Sequence, residues 1–269
     1  MKNVLAIHDI SCVGRCSLTV ALPIISAYGV TCSVLPTAVL STHTGGFSNF
    51  TCLDLTEEMK KIISHWDSFG QKFDAIYSGF MASSAQIDVV ADMAKKHKTA
   101  LKIVDPVMAD HGVLYKIFDN AFVEKMKELV AVSDVLIPNM TEAALLTGIE
   151  YKEDGHNEKY IESLFDGLKK LGAKNIVLTG VSFEKDKLGV ACLEGNKTSY
   201  HFAKKIDGSY HGTGDTYGSV LTAHLMKGLT LSESAKIAVD FVIEAILKTP
   251  SIADKKYGVD FEAVLDSRA

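Results

Sequence analysis

Two arginines, Arg15 and Arg268, are all that the 269 residues contain, and no block of Lys and Arg stands anywhere along them. With a net charge of −5 the chain lacks the basic footprint that nucleic acid or an anionic membrane surface calls for, so neither is an expected partner. The cysteines supply no framework either. Cys12, Cys16, Cys32, Cys52 and Cys192 form no CxxC pair and no zinc spacing, and an odd count of this kind suits a reducing cytosol. Residues 17–53 hold no Lys, Arg, Asp or Glu, yet Pro23, Gly29, Pro36 and many hydroxyls break that run, against a membrane span. Asp9 interrupts the first apolar run and no cleavage motif follows, so a signal peptide is not expected either. A soluble, cytoplasmic protein is the expectation. No GxSxG or other hydrolase signature is present.

What is there is strand and helix in alternation. "NVLAIHD", "CSVLPTAVL", "DAIYSG", "LKIVD", "DVLIP" and "NIVLTG" read as apolar strands. Between them run helical patterns over "LTVALPIISAYG", about 56–69, about 84–97, about 119–132, "NMTEAALLTG" and "IESLFDGLKKLG". "KLGVACLEGNKTSYHFA" alternates around Gly195 as a hairpin, and two helices, about 215–228 and 231–248, close the chain's core. With 47% apolar residues, no repeat and no linker, the pattern predicts an α/β fold. It is a single doubly wound, mostly parallel sheet flanked by helices, one domain over 1–269. The polar, glycine-containing segment around 41–54 is expected to form a short flap.

In such a sheet ligands sit beyond the carboxyl ends of the strands. Polar residues collect there: His8–Asp9, "STHTGG", Ser78–Gly79, Asp105–Pro106, Pro138–Asn139 and Thr179–Gly180. "GTGDTYG" resembles a dinucleotide fingerprint, but "KKIDGSYH" precedes it instead of an apolar strand, and only helices follow. A phosphate cradle suits it better. Amides of Gly212, Thr213 and Gly214 at a helix start can stabilise a transferring phosphoryl group, and Asp215 can accept the proton of an attacking hydroxyl. The bland alternative is that Asp215 caps the helix. Asp105 ends a strand in "IVDPVM", where a carboxylate can reach a metal–phosphate complex or simply initiate a turn at Pro106. "PNMTE" sets Asn139 and Glu142 three apart, fit to face one ligand directly or through metal-bound water, or to form a helix cap. Phe80 in "SGFMAS" is an aromatic platform for a flat ring or a core residue.

"DPVM", "PNMTE" and "GTGD", in this order and at these separations, resemble the ribokinase-like superfamily, and "STHTGG" with "SGFMAS" narrows the likeness to the pyridoxal kinases. The likeness runs from "NVLAIHD" to a helix ending near Lys248. It implies phosphorylation of the hydroxymethyl group of pyridoxal, pyridoxine or pyridoxamine with ATP and Mg2+, and a monovalent cation such as K+ as an added cofactor. Asp215 would be the base, with Gly212, Thr213 and Gly214 as the anion hole. Asp9, Ser11, Thr44, Gly45 and Phe80 would hold the ring. Asp105, Asn139, Glu142, Thr179, Gly180, Lys205 and Ile206 would border the nucleotide, with Asp105 and Glu142 at the metal. The resemblance also implies a homodimer. Two positions depart from the pattern. Many pyridoxal kinases carry serine where this chain has Asp9, whereas pyrimidine kinases have an aspartate in a similar loop. A lysine common in one branch is here Gly180. The alternatives are a hydroxymethylpyrimidine (phosphate) kinase, a sugar or nucleoside kinase, and a non-catalytic sensor on the same fold. Against the first stands the scarcity of arginine, because a substrate that already bears a phosphate wants a cationic fork.

Overall fold

A computed structural model describes residues 1–250 and 252–267; Arg268 lies outside the described residues. Nine strands form one sheet in the order β11-β10-β9-β8-β5-β4-β1-β2-β3. The parallel centre comprises β1 (Asn3–Ser11), β2 (Thr31–Leu40), β4 (Ala75–Ser78), β5 (Leu101–Val104), β8 (Val135–Leu136) and β9 (Asn175–Val181). Antiparallel strands finish both edges: β3 (Cys52–Asp54) beyond β2, and the hairpin β10 (Lys187–Glu194) and β11 (Lys197–Lys204) beyond β9. The α/β class and the mostly parallel sheet follow the sequence reading. Three features do not appear in it. Residues 52–54 of the flap segment pair with β2, residues 109–114 form a two-stranded hairpin of their own, β6 (Ala109–Asp110) with β7 (Val113–Leu114), and a helix follows Lys248. Each is too short or too polar to leave a period in the sequence.

Both faces of the sheet are covered, which is why its central strands are apolar throughout. Alternation survives inside them: Leu5 and Ile7 of β1 join one core, Val4 and Ala6 the other. The first core packs under α2 (Thr56–Ser68), α3 (Ser84–Lys96), α4 (Asn120–Val132), α5 (Met140–Thr147) and α6 (Glu158–Lys170). The second packs under α1 (Leu18–Ala27), α7 (Thr213–Met226), α8 (Leu231–Lys248) and α9 (Phe261–Asp266). Helix boundaries follow local chemistry. Asn139 and Glu142 form a reciprocal capping box at the start of α5, Thr230 and Glu233 another at α8, and Gly148 ends α5 in the left-handed region. Among the described residues no helix is long and apolar enough to cross a membrane.

The chain winds one way from β1 to β2 and then crosses to β4 on the other side of β1. Strand order therefore reverses between β1 and β4, and the crevice beyond their carboxyl ends is where such a sheet binds ligands. β1 carries a register shift between His8 and Ile10, so Asp9 is a bulge residue at that end.

Candidate active site

The start of α7 sits over this crevice. Gly212 is its N-cap, in the left-handed region at φ 73°, and no side chain caps the helix there. Any Cβ on Gly212 would run into the carbonyl oxygen of Arg15, so the glycine is required by conformation and by close approach together. Gly214 is exposed and a Cβ on it would meet open space, which leaves the first-turn N–H groups accessible to an anion. Thr213 turns its hydroxyl back to the Tyr210 carbonyl at 3.2 Å.

Asp215 is in the first turn of α7, not at the cap, so the capping alternative fails at this residue. Its side chain is 18% exposed and lies 4.0 Å from Nδ1 of His8. Burial pushes its carboxyl up to about 7, a hydrogen bond from the Ser17 N–H draws it down, and the charge of Asp9 adds to the rise. Asp9 itself is tied to the loop after β1: Ser11 Oγ donates to its Oδ2 at 2.9 Å and Ser17 Oγ to its Oδ1 at 2.5 Å. Asp9 and Ser11, which the resemblance puts at the ring, are buried in the loop after β1.

Two further carboxylates face the same end of the sheet. Asp105, buried at the end of β5, is raised well above the usual carboxylate range by burial, then by Glu142 and Asp215. Glu142 is buried and raised to about 8, burial being the main cause. Here the capping alternative is realised: Glu142 Oε2 accepts from the Asn139 N–H at 2.9 Å, and Oε1 accepts from the Met108 N–H at 3.1 Å. Asn139 returns a cap to the Glu142 N–H and donates through Nδ2 to the Ala109 carbonyl at 2.8 Å. The cap thus fixes the carboxylate beside Asp105. Among the described residues no group of three or more His, Cys, Asp and Glu side chains is close enough to hold a metal ion by itself. Two buried acids that repel one another, Asp105 and Glu142, would be eased by a divalent cation and would be the residues to hold one.

The remaining expected residues fall in four places. Thr44 and Gly45 belong to the flap, where Gly45 packs so closely on His211 that a Cβ would overlap its ring. Thr179 donates its N–H to the Pro138 carbonyl at 3.0 Å, and Gly180 follows in the left-handed region at φ 81°. Lys205 is exposed past the end of β11, its N–H donated to the Asp186 carbonyl at 2.8 Å, with Ile206 half-buried beside it. Phe80 is buried against Phe118, ring centroids 5.8 Å apart, and its carbonyl accepts from Thr37 Oγ1 at 3.0 Å.

Histidines and the C-terminal segment escaped the sequence reading as partners of the flap. His43 and His211 lie 4.8 Å apart between ring centroids. His43 Nε2 donates to the Lys256 carbonyl at 2.5 Å, while its Nδ1 accepts from the Gly45 N–H at 3.2 Å, which fixes the tautomer. Phe47 meets Tyr257 edge-on at 5.5 Å. The only signal for these was a histidine just ahead of each glycine motif, "HTGG" and "HGTG"; nothing marked the tail.

Comparison with known proteins agrees with this geometry. The profile of the phosphomethylpyrimidine kinase family matches residues 21–260. The hydroxymethylpyrimidine/phosphomethylpyrimidine kinase of Haemophilus influenzae is 30% identical over 173 residues, which span 62% of this chain and 63% of that protein. The chain is therefore matched to somewhat less than two thirds of that relative's length. Pyridoxal kinase from Lactobacillus plantarum superposes with a TM-score of 0.92 at 32% identity, covering 99% of this chain and 96% of that one. A Bacteroides thetaiotaomicron protein provisionally named a phosphomethylpyrimidine kinase, solved with pyridoxal, gives 0.93 at 37% identity over 99% and 95%.

Fold and site together define a small-molecule kinase of the ribokinase-like class. The chain belongs to the phosphomethylpyrimidine kinase family, whose structural relatives include pyridoxal kinases.

Proposed function

We propose that this kinase transfers the γ-phosphoryl group of ATP to the hydroxymethyl group of pyridoxal or its alcohol and amine relatives. The observation that carries the choice of ring is the state of Arg15. Its guanidinium is held by Glu262 at 2.7 Å and Asp260 at 3.5 Å, so the arginine of the loop after β1 is already paired. The tail brings two lysines toward the flap, but Lys256 pairs with Asp254 at 2.8 Å and lies over Phe47, and Lys255 lies over the Tyr210 ring. Among the described residues, a ring that already bears a phosphate dianion finds no free cationic fork here.

In this reading Asp215 removes the proton of the ring's hydroxymethyl group as that oxygen attacks the γ-phosphorus, and the amides of Thr213 and Gly214 take up charge on the transferring group. A carboxyl raised to about 7 is half ionised near neutral pH and basic enough to accept that proton. Asp105 and Glu142 would hold Mg2+ through water. When bound, the metal would neutralise charge between the β- and γ-phosphates. The flap residues Thr44 and Gly45 close over the ring and shed water. The proposal treats the chain as one kinase domain that pairs as a homodimer, which sedimentation of the purified protein would check.

The family match and the Haemophilus relative favour a second reading, a hydroxymethylpyrimidine or hydroxymethylpyrimidine phosphate kinase. The deciding experiment offers pyridoxal, hydroxymethylpyrimidine and hydroxymethylpyrimidine phosphate separately with ATP and Mg2+. Rapid phosphorylation of pyridoxal and none of the pyrimidine phosphate is expected. Efficient formation of the pyrimidine diphosphate would replace the first reading with the second.

A further inference from the structure

His8 continues the row of Val4 and Ala6 on the α7 side of β1, where an aliphatic side chain would be the ordinary occupant. Its imidazole is fully buried, and neither ring nitrogen has a hydrogen-bond partner. The fold makes room for it. A Cβ on Gly79 would overlap the His8 ring, and Tyr77 supports that ring edge-on with centroids 4.5 Å apart. Tyr77 in turn needs Gly218 of α7, because a Cβ there would overlap its hydroxyl. Two glycines and a tyrosine thus hold one unsatisfied imidazole in place, with Nδ1 4.0 Å from Asp215 Oδ1. A buried polar group left unpaired is destabilising, and a site that retains one calls for a partner that arrives later.

We propose that His8 is a positioning residue for Asp215: its neutral ring carries the proton on Nδ1 and donates it in a hydrogen bond to Oδ1 when the site closes on its substrates. This rests on the reading of Asp215 as the base. A 4.0 Å separation is beyond hydrogen-bonding range, but such contacts are often long in the empty site and tighten in the ternary complex. The ring stays neutral because burial pushes its pKa down to about 3, so it can offer one N–H without adding a cation. The groups that interact with the Asp215 carboxylate include Asp9, Asp105, Cys16, Tyr77 and Tyr115, none of them cationic, together with the Ser17 N–H. A second donor, from His8, turns the carboxylate so that its other oxygen meets the substrate hydroxyl.

Replacement by leucine and by asparagine separates positioning from packing. His8→Leu fills the slot without a donor, whereas His8→Asn places an amide N–H near the position of Nδ1. On whichever ring alcohol the wild type phosphorylates, His8→Leu should lower kcat about 10–100-fold with KM values within about twofold. His8→Asn should recover to within about fivefold of wild type. Leucine equal to or better than asparagine would make His8 a space-filler and overturn the proposal. A second readout is spectroscopic, uses the protein saturated with ADP, Mg2+ and whichever ring alcohol it accepts, and so survives failure of the ring assignment. In the full chain with 15N-labelled histidine, His8 should be the Nδ1–H tautomer, and its signal should shift in Asp215→Ala. A proton on Nε2, or no shift, would equally overturn the proposal.

Discussion

The carbonyl oxygen of Arg15 occupies the space in which a side chain on Gly212 would begin, and Gly212 sits there in the left-handed region. The loop after β1 and the start of α7 are thereby locked together. Gly212→Ala would strain the backbone and separate them, with an expected loss of about 1–3 kcal/mol in stability and about 10²-fold in turnover. Gly214→Ala supplies the contrast. Its Cβ enters open space, so Tm should hold or rise while turnover falls about 10–100-fold as the methyl group crowds the anion. Equal thermal loss in both variants would contradict the assignment of that open space to the phosphoryl group.

Asp215→Asn keeps the shape of the side chain but removes its basicity. A drop in kcat of about 10²–10⁴-fold with ATP affinity nearly intact is expected. Because the base works ionised and its carboxyl is raised to about 7, wild-type kcat/KM should fall on the acid side of neutrality. Near-wild-type turnover in a folded Asp215→Asn protein would remove the aspartate from the mechanism.

Raised carboxyls also set the sign of a stability change. Glu142 at about 8 and Asp215 at about 7 bind protons in the folded state that the unfolded chain has already released above pH 4.5 or so. Stability of the free protein should therefore decline as pH rises from about 4.5 up to these values and level off above them, Asp215 ceasing to contribute near 7 and Glu142 near 8. Buried neutral histidines such as His8 act oppositely, but their contribution is complete above the unfolded histidine value of 6.5. Denaturant titrations at several pH values test this. Glu142→Gln should flatten the decline and raise the Mg2+ concentration needed for half-maximal rate. Unchanged Mg2+ dependence would leave Glu142 with its helix cap alone.

Flap and tail should move as a unit. His43 and Phe47 engage Lys256 and Tyr257, so binding of the ring substrate should slow amide exchange in residues 43–50 and 255–258 together. Protection confined to one segment would show that the contact between them is incidental. Protection in neither would place the ring elsewhere.

Period and punctuation made most of the fold legible from the residues. Apolar strands such as "NVLAIHD" and "NIVLTG" need cover on both faces, and only an α/β sheet supplies it. Gly148 and Asn139 announced the ends of α5, because capping is local chemistry that three or four neighbouring residues complete. Asp215, Asp105 and Glu142 were likewise visible as acids at strand and helix ends. Their raised pKa values were not, since those arise from burial and from neighbours far apart in sequence.

Tertiary structure alone decided what Asp9, Arg15 and His8 do. No local pattern showed that the Asp9 carboxylate, at the bulge in β1, accepts from both Ser11 and Ser17. Arg15 was one of two arginines in the sequence, and only the return of the chain at α9 supplied it with Glu262 and Asp260. His8 was one polar residue at a strand end, and only the approach of α7, permitted by Gly79 and Gly218, sets it beside Asp215. Local sequence determines which segments become strands, helices and caps, because those depend on neighbours within a few residues. Which side chains meet across the crevice depends on contacts between β1, α7 and a tail almost 250 residues away, and no local pattern encodes that.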